Sequence, residues 1–332
     1  MYRSLSDRHK KGHSMPGNIK IFGNSAGGQL AHDISQRLSI EPGLVKLKQF
    51  KDGELWDQLQ TEVRGHDVYL ICPTPPPAEN FLEALFLADA ARHASADRIT
   101  MVIPYFGYSR QDRKDAPRTA YGAYVCARAL RADVDRVLLL DMHSEQTNGL
   151  FRPAIVDHVY GSVIFLPKLK EILKGRKFVV AAPDVGAGAR AKKYNKLLGN
   201  PRKLVYFDKN REEAGKVDSV EIVGTVKGYF VVLTDDIVDS GGTLVADAEA
   251  AMEAAATGVM ATIAHGVLSD GSIEMIDNSP ISILLLSDSI VDVWDKQKLF
   301  KNTEVIVVTC AGLLADAIRR THDEESVSKL IL

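Results

Sequence analysis

The chain has 332 residues, of which 45% are hydrophobic and 25% are charged, and its formal net charge is −2. This composition is typical of a globular protein, and the length favours two domains over one. The near-neutral charge gives no reason to expect binding to nucleic acid, and no apolar run is long enough to cross a bilayer. Three widely separated cysteines without metal spacing indicate a reducing compartment, so we expect a cytoplasmic protein.

The N-terminal segment, residues 1–16, differs from the rest of the chain. It is polar and basic and lacks the apolar stretch that a secretory signal requires. A disordered basic tail is expected here, with a short transit peptide as the alternative.

Strand and helix patterns alternate from Ile19 onward. In the first series, strands are expected at Ile19–Phe22, Val45–Phe50, Val68–Ile71, Ile99–Pro104 and Arg136–Asp141, and helices at Gln29–Leu38, Phe81–Ser95 and Ala120–Leu130. In the second series, strands are expected at Phe178–Ala182, Leu204–Phe207, Tyr229–Leu233, Met260–Ala264, Ile281–Leu286 and Val305–Val308, and helices at Val163–Leu173, Ala187–Leu198, Leu244–Thr257 and Ala311–Arg320. The pattern predicts an α/β fold of two units that meet near Tyr160, each a mostly parallel sheet flanked by helices.

The densest motif follows the apolar strand at Tyr229–Leu233. Two adjacent carboxylates, Asp235 and Asp236, are suited to accept hydrogen bonds from a sugar diol. Glycines and a helix N-terminus present backbone N–H groups to an anion. The loop that supplies them consists of Asp239, Ser240, Gly241, Gly242 and Thr243. The stretch predicts a site for a ribose 5-phosphate group, and an ordinary capped turn is the alternative.

A second motif, residues 104–114, follows a buried strand and is therefore expected at the carboxyl edge of the first sheet, where ligands bind in open α/β folds. Its aromatic residues can flank a base, and Arg110 can pair with a phosphate or stack on a ring. A solvated charged turn is the alternative.

Two further segments after strands carry cationic or metal-ligating side chains. His143 can ligate a metal or contact a phosphate, although a single histidine is more often structural. Lys209 and Arg211 are two residues apart, so both point the same way in an extended chain. A mobile loop that delivers two cations suits phosphoryl transfer, and a solvated loop is the alternative.

A dinucleotide-binding site is a competing hypothesis. Gly186, Gly188 and Ala191 match the loose glycine pattern, and Asp208 ends a strand about 20 residues later. The carboxylate of Asp184 weakens this hypothesis, because it precedes the glycines and would repel a pyrophosphate. The hypothesis also leaves the stretch from Asp235 to Thr243 without a role.

Five motifs in order make the chain resemble the ribose-phosphate pyrophosphokinase, or phosphoribosyl pyrophosphate synthetase, family from about Ile19 to Leu330. They are FKDGE at 50–54, YSRQDRK at 108–114, DMHSEQ at 141–146, PDVG at 183–186 and DDIVDSGGT at 235–243. The resemblance implies two phosphoribosyltransferase-like domains. Residues 17–160, completed by residues 305–332, would form the ATP-side domain, and residues 161–304 the ribose 5-phosphate domain.

The implied reaction transfers the diphosphoryl group of ATP to the anomeric hydroxyl of ribose 5-phosphate, with Mg²⁺ as cofactor, in a dimer-based homo-oligomer, a hexamer. Residues implied to contact ATP are Phe50, Asp52, Gly53, Glu54, Arg110 and Gln111, the first four from a neighbouring subunit. Residues implied to hold ribose 5-phosphate are Asp235, Asp236, Asp239, Ser240, Gly241, Gly242 and Thr243. The resemblance assigns His143 and Asp184 to the metal, and Lys209 and Arg211 to catalysis.

Two other functions stay open on the sequence. A synthetase-like regulatory subunit need not keep these residues, and the chain departs from the family at Asn210, between the two loop cations, and in the proline-rich loop Pro73–Pro77. A phosphoribosyltransferase shares the Asp-Asp and Gly-Gly-Thr pattern, but it needs neither residues 110–114 nor a second α/β unit.

Overall fold

The computed structural model describes residues 17–114, 116–184, 186–210 and 219–330. The first half contains, in chain order, β1 (Gly17–Gly23), α1 (Gly28–Arg37), β2 (Val45–Gln49), β3 (Leu55–Leu59), β4 (His66–Ile71), α2 (Glu79–His93), β5 (Arg98–Ile103), α3 (Gly122–Leu130), β6 (Arg136–Leu140) and β7 (Ile155–Val159). Five of these strands form a parallel sheet in the order β1-β4-β5-β6-β7. Strands β2 and β3 pair as a separate antiparallel hairpin.

The second half contains α4 (Ser162–Ile172), β8 (Phe178–Ala182), α5 (Gly188–Leu197), β9 (Val205–Asn210), β10 (Ser219–Val223), β11 (Phe230–Val238), α6 (Gly242–Glu253), β12 (Gly258–Gly266), α7 (Ser272–Asp277), β13 (Ile281–Ser287), α8 (Val293–Lys296), β14 (Glu304–Val308) and α9 (Ala311–His322). Its strands form a seven-stranded sheet in the order β10-β9-β8-β11-β12-β13-β14, in which only the β9–β10 pair is antiparallel. The predicted α/β architecture of mostly parallel sheets is therefore confirmed.

Both sheets are covered on their two faces, which explains why their central strands are apolar throughout. In the first sheet, α2 and α3 pack on one face, while Ile34 of α1 and Leu314 of α9 pack on the other. In the second sheet, Ala248 of α6 lies on one face and Tyr194 of α5 on the other. No helix among these residues is long and apolar enough to cross a membrane.

Several expected boundaries differ from the structure. The strands β3, β7 and β10 were not predicted individually. The prediction that the central strand ends at Leu233 is wrong, because β11 continues to Val238 and pairs Asp235 with Ile263 of β12. The two carboxylates therefore belong to a strand, and the loop to α6 is shorter than expected.

The C-terminal segment is shared between the two sheets. Strand β14 pairs with β13 at the edge of the second sheet, whereas α9 packs against α1 on the first. The division of the chain into domains stays a prediction. The path of the chain nevertheless means that residues 304–322 connect the two units a second time.

A buried carboxylate anchors the end of α9 to the first sheet. Asp67 is fully buried and accepts hydrogen bonds from Arg98 Nε at 2.9 Å, from Tyr69 Oη at 2.8 Å and from His322 Nδ1 at 2.8 Å. Arg98 also donates to the carbonyl oxygen of Thr321 at 3.0 Å. Because His322 and Thr321 end α9, this network fixes the returning helix.

We expect Asp67→Asn to lower the free energy of unfolding by about 3–5 kcal/mol, since it removes the buried charge partner of a largely buried guanidinium and leaves Arg98 only its pair with the exposed Glu324. Urea denaturation followed by circular dichroism measures the change. The control is Asp316→Asn, which breaks an exposed pair with Arg319 on the same helix and should change stability by no more than about 0.5 kcal/mol. Equal stabilities of the two variants would contradict the anchoring role of Asp67.

Candidate active site

The side chains that the sequence predicted to bind ligands lie mostly where parallel strands end. In the first sheet, Arg110 follows β5 and His143 follows β6. In the second sheet, Asp184 follows β8, and the loop to α6 follows β11. Carboxyl ends of parallel strands carry ligand sites in open α/β folds. Direct contacts join the two edges.

The adjacent carboxylates differ in exposure and in partners. The Asp236 side chain is 6% exposed, and it accepts hydrogen bonds from His143 Nδ1 at 2.7 Å and Arg190 Nη1 at 3.2 Å. The Asp235 side chain is 26% exposed, and its Oδ1 accepts the backbone N–H of Asp236 at 2.9 Å. Asp235 therefore faces the opening, whereas Asp236 is engaged within the protein.

The difference in partners also shifts the pKa values of the two carboxylates in opposite directions. Burial, and then the neighbouring charge of Asp236, raise the pKa of Asp235 well above its usual value. Burial opposes the ionisation of Asp236 as well, but the hydrogen bond from His143 and the charge of Arg190 outweigh it and lower the pKa. Since two adjacent carboxylates repel each other, the one with cationic partners keeps the charge.

His143 connects the two units. It comes from the turn after β6, yet its ring is fixed by a carboxylate of β11, in the other sheet. The hydrogen bond to Asp236 raises the pKa of His143, against the opposing effect of burial. Because Nδ1 is occupied and the side chain is 38% exposed, Nε2 is the ring atom that can ligate a metal.

The loop from Asp239 to Gly242 forms an anion cradle at the start of α6. Gly241 has φ +82°, a left-handed conformation that glycine adopts without strain, and a side chain there would clash with Ile276. No atom lies within 4 Å of the position that a Cβ of Gly242 would take. Open space therefore stands beside the N-terminal N–H groups of a 12-residue helix, where an anion is stabilised.

Arg110 reaches across to this cradle. Its Nη2 lies 2.7 Å from Oδ2 of Asp239. Burial opposes the ionisation of Asp239, but the hydrogen bond from Arg110 outweighs it and lowers the pKa. Gln111 follows on the exposed turn and lies against Gly122 at the start of α3. Arg110 thus joins the predicted ATP-binding loop to the predicted sugar-phosphate loop.

The hairpin residues Phe50, Asp52, Gly53 and Glu54 form a separate group. They lie at the tip between β2 and β3, where Gly53 has φ +98°. Lys48 Nζ lies 4.3 Å from the centroid of the Phe50 ring. All four are exposed, and no described contact brings them to the strand ends. Their role in binding ATP stays a prediction.

Asp184 argues against the dinucleotide hypothesis. Its Oδ1 accepts the backbone N–H of Ala187 at 2.8 Å, at the start of α5. A pyrophosphate at this helix N-terminus would compete with that carboxylate.

Across the described ranges, no group of three or more His, Cys, Asp or Glu side chains is placed to hold a metal ion.

The two predicted loop cations are only partly covered by the structure. Lys209 lies in the backbone of β9, one residue before the strand ends. Arg211 lies outside the described residues, as does the N-terminal segment 1–16. Their predicted roles stay predictions.

Two residues of this region, one largely buried and one buried, were not predicted from the sequence. Arg190, in the first turn of α5, contacts both Asp236 and Asp235. His265, at the end of β12, is buried, with Nε2 3.1 Å from the carbonyl oxygen of Asp141 and Nδ1 2.8 Å from Ser289 Oγ. A cation in the first turn of a helix behind a strand-end carboxylate was the available signal for Arg190.

The fold and this site define a class: a two-unit α/β enzyme in which paired carboxylates lie beside an anion-binding helix N-terminus. The model of the N-terminal domain of ribose phosphate pyrophosphokinase matches residues 19–133, and that of the phosphoribosyl synthetase-associated domain matches residues 208–332. A ribose-phosphate pyrophosphokinase from Bradyrhizobium diazoefficiens is 40% identical over 95% of this chain and 98% of its own length. One from Chlorobaculum tepidum is 39% identical over 94% of each.

A solved structure gives the same result. The crystal structure of phosphoribosylpyrophosphate synthetase from Mycobacterium smegmatis superposes with a TM-score of 0.85 and 29% identity, covering 92% of this chain and 99% of that one. The chain belongs to the ribose-phosphate pyrophosphokinase family. The family resemblance seen in the sequence is thereby confirmed, and neither a regulatory subunit nor a phosphoribosyltransferase is favoured.

Proposed function

We propose that this chain catalyses the reaction of ATP with ribose 5-phosphate to give AMP and phosphoribosyl pyrophosphate. The anomeric oxygen attacks the β-phosphorus of ATP, the bond from that phosphorus to the bridging α–β oxygen breaks, and the hydroxyl proton is released. The observation that carries this proposal is the partly exposed Asp235 carboxylate on β11, the strand that leads into the open anion cradle at Gly242. A diol acceptor beside a phosphate site is what ribose 5-phosphate requires.

The sugar phosphate would occupy the second unit. Asp235 accepts hydrogen bonds from the ribose hydroxyls, and the 5-phosphate binds the N–H groups at the start of α6. The 5-phosphate is assigned to the loop of Asp239, Ser240, Gly241, Gly242 and Thr243, which would hold it through N–H groups and not through the Asp239 carboxylate. Fixing both ends of the sugar orients the anomeric oxygen, and orientation supplies much of the rate in such transfers.

ATP would bind on the side of the first unit. Arg110 and Gln111 contact its phosphates, and the hairpin residues Phe50, Asp52, Gly53 and Glu54 form the adenine pocket in a neighbouring copy of the chain. The hairpin supports this assignment because its apolar side chains Phe50 and Trp56 are exposed within the single chain. The active form would then be a homo-oligomer built of dimers, for which we propose a hexamer.

The donor set fits Mg²⁺ held jointly by protein and substrate. Mg²⁺ is bound in phosphoryl-transfer sites by one or two protein ligands, waters and substrate phosphates, and it neutralises the charge that develops on the transferred group. His143 Nε2 and an oxygen of Asp184 would be the protein ligands. Asp236 supports this role, because a carboxylate on the distal ring nitrogen fixes a ligating imidazole.

Lys209, one residue before the end of β9, and Arg211 would provide the cations for the transition state. Fixed positive charge stabilises a diphosphoryl group in transfer, and no general base is required for this role. For the cellular location we propose the cytoplasm, because the three cysteines are free and buried, which fits a reducing compartment.

The test of the reaction is product analysis of the purified chain with ATP, ribose 5-phosphate and Mg²⁺, followed by ³¹P NMR. We expect AMP and phosphoribosyl pyrophosphate in equal amounts, only when the sugar phosphate is present, and none after removal of the metal with a chelator. Formation of ADP, or of AMP without sugar, would contradict diphosphoryl transfer.

The anion cradle gives a second prediction. Gly242→Val places a side chain in the open space of the cradle, so the KM for ribose 5-phosphate should rise at least about tenfold while the melting temperature stays within a few degrees. Gly28→Val is the matched control, since Gly28 also opens a helix with no atom within 4 Å of its Cβ position. Unchanged kinetics in the Gly242 variant would contradict the assignment of the 5-phosphate to this loop.

The hairpin gives a third prediction. Phe50→Ala should raise the KM for ATP by roughly tenfold, through the lost aromatic contact with adenine, and leave the KM for ribose 5-phosphate unchanged. Leu44→Ala, which removes another exposed apolar side chain outside the motif, is the control. A proportional rise of both KM values in the Phe50 variant would show that the hairpin does not bind the nucleotide.

A further inference from the structure

Arg190 occupies a position that local rules disfavour. It lies in the first turn of α5, where the helix dipole repels a cation, and its side chain is only 17% exposed. Its Nη1 lies 3.2 Å from Oδ1 of Asp236 and 3.6 Å from Oδ1 of Asp235, and it also interacts electrostatically with Asp141. The neighbouring carboxylates compensate the unfavourable position.

The contacts of Arg190 divide the paired carboxylates into two roles. Oδ1 of Asp236 faces Arg190 and Oδ2 receives His143, so this carboxylate has both oxygens engaged. Asp235 keeps the greater exposure. Asp236, which the family resemblance assigns to the sugar, is thus held away from solvent by a histidine and an arginine.

We propose that Arg190 is a positioning residue that acts through both carboxylates: it clamps Asp236 so that Asp236 orients His143, and it turns Asp235 toward the sugar. This inference rests on the proposed function, because it takes His143 as a metal ligand and Asp235 as a sugar ligand. In this proposal Arg190 acts only through its two carboxylate partners.

The guanidinium group suits this task better than an ammonium group. It presents several N–H donors in a fixed plane, so one side chain can engage two carboxylates in defined directions. A lysine is a point charge on a flexible stem and retains the charge without the directions. Comparison of Arg190→Lys with Arg190→Gln therefore separates geometry from charge.

The experiment measures Mn²⁺ binding by electron paramagnetic resonance and ribose 5-phosphate binding by calorimetry, beside kcat, both KM values and the melting temperature. Arg190→Gln should weaken Mn²⁺ and ribose 5-phosphate binding by about 10–100-fold each, as expected when a residue that supports a ligand is lost. The KM for ATP should rise together with the loss of metal binding, because protein and nucleotide hold the metal jointly. Arg190→Lys should lie between this variant and the parent.

Lys196→Gln is the matched control, because it removes a positive charge from an exposed position of the same helix. It should leave both bindings unchanged. If Arg190→Gln unfolds, Arg190→Lys decides, and parental binding of Mn²⁺ and sugar phosphate by a folded Lys variant overturns the proposal. Parental binding by a folded Gln variant overturns it as well.

A double variant tests the route through Asp236. Arg190→Gln combined with Asp236→Asn should weaken Mn²⁺ binding no more than the more damaging of the two single changes does, because both act on the orientation of His143. Independent, additive losses would overturn that route. Failure of the proposed function is distinguishable, since a parent chain that forms no AMP still reports Mn²⁺ and ribose 5-phosphate binding without turnover.

Discussion

The hydrogen bond between His143 and Asp236 is the interaction on which the site depends, because it joins an edge of one sheet to an edge of the other. A site divided between two units works only when the units hold a fixed separation. His265 provides a second, fully buried link, from the end of β12 to the carbonyl oxygen of Asp141. Burial lowers the pKa of His265, so the neutral ring donates at Nε2 and accepts at Nδ1. A neutral donor suits this interior, where a charge would be costly.

The path of the chain strengthens the same constraint. After β14 the chain leaves the second sheet, and α9 returns to pack on α1 of the first, where Asp67, Arg98 and His322 hold its end. The two units are therefore connected once near residue 160 and again through residues 309–310, just before α9. Two covalent connections and two hydrogen bonds between the units, of which that of His265 is buried, restrict relative motion far more than a single linker does. The separation of His143 from Asp235 is thus set both by the local hydrogen bond to Asp236 and by elements remote from the site.

Much of the fold and the order of the site loops could be predicted from the sequence, because strand and helix signals are local and parallel strands place their ligand loops at one edge. The end of β11 could not be predicted, since two polar residues usually interrupt an apolar strand, and only pairing with β12 keeps Asp235 and Asp236 in it. The roles of Arg190 and His265 depend on contacts between residues 46 and 124 positions apart. Such long-range contacts cannot be predicted from a local sequence pattern. For Asp236 they matter most, because its oxygens, expected to accept hydrogen bonds from a sugar diol, are instead bonded to His143 and Arg190.

Charge balance explains why a site for polyphosphates contains so many carboxylates. In the described part of the site, Arg110 is paired with Asp239, while Arg190 and His143 are both paired with Asp236. Both arginines are already paired, so a phosphate that contacts Arg110 must either take it from Asp239 or arrive with positive charge of its own. Exchange of Arg110 would free the carboxylate of Asp239 beside the cradle, and that carboxylate would oppose the phosphate that displaced it. A metal–nucleotide complex brings its own positive charge and so avoids this conflict. The site can therefore bind polyphosphates although its arginines are already paired with carboxylates before the substrates bind.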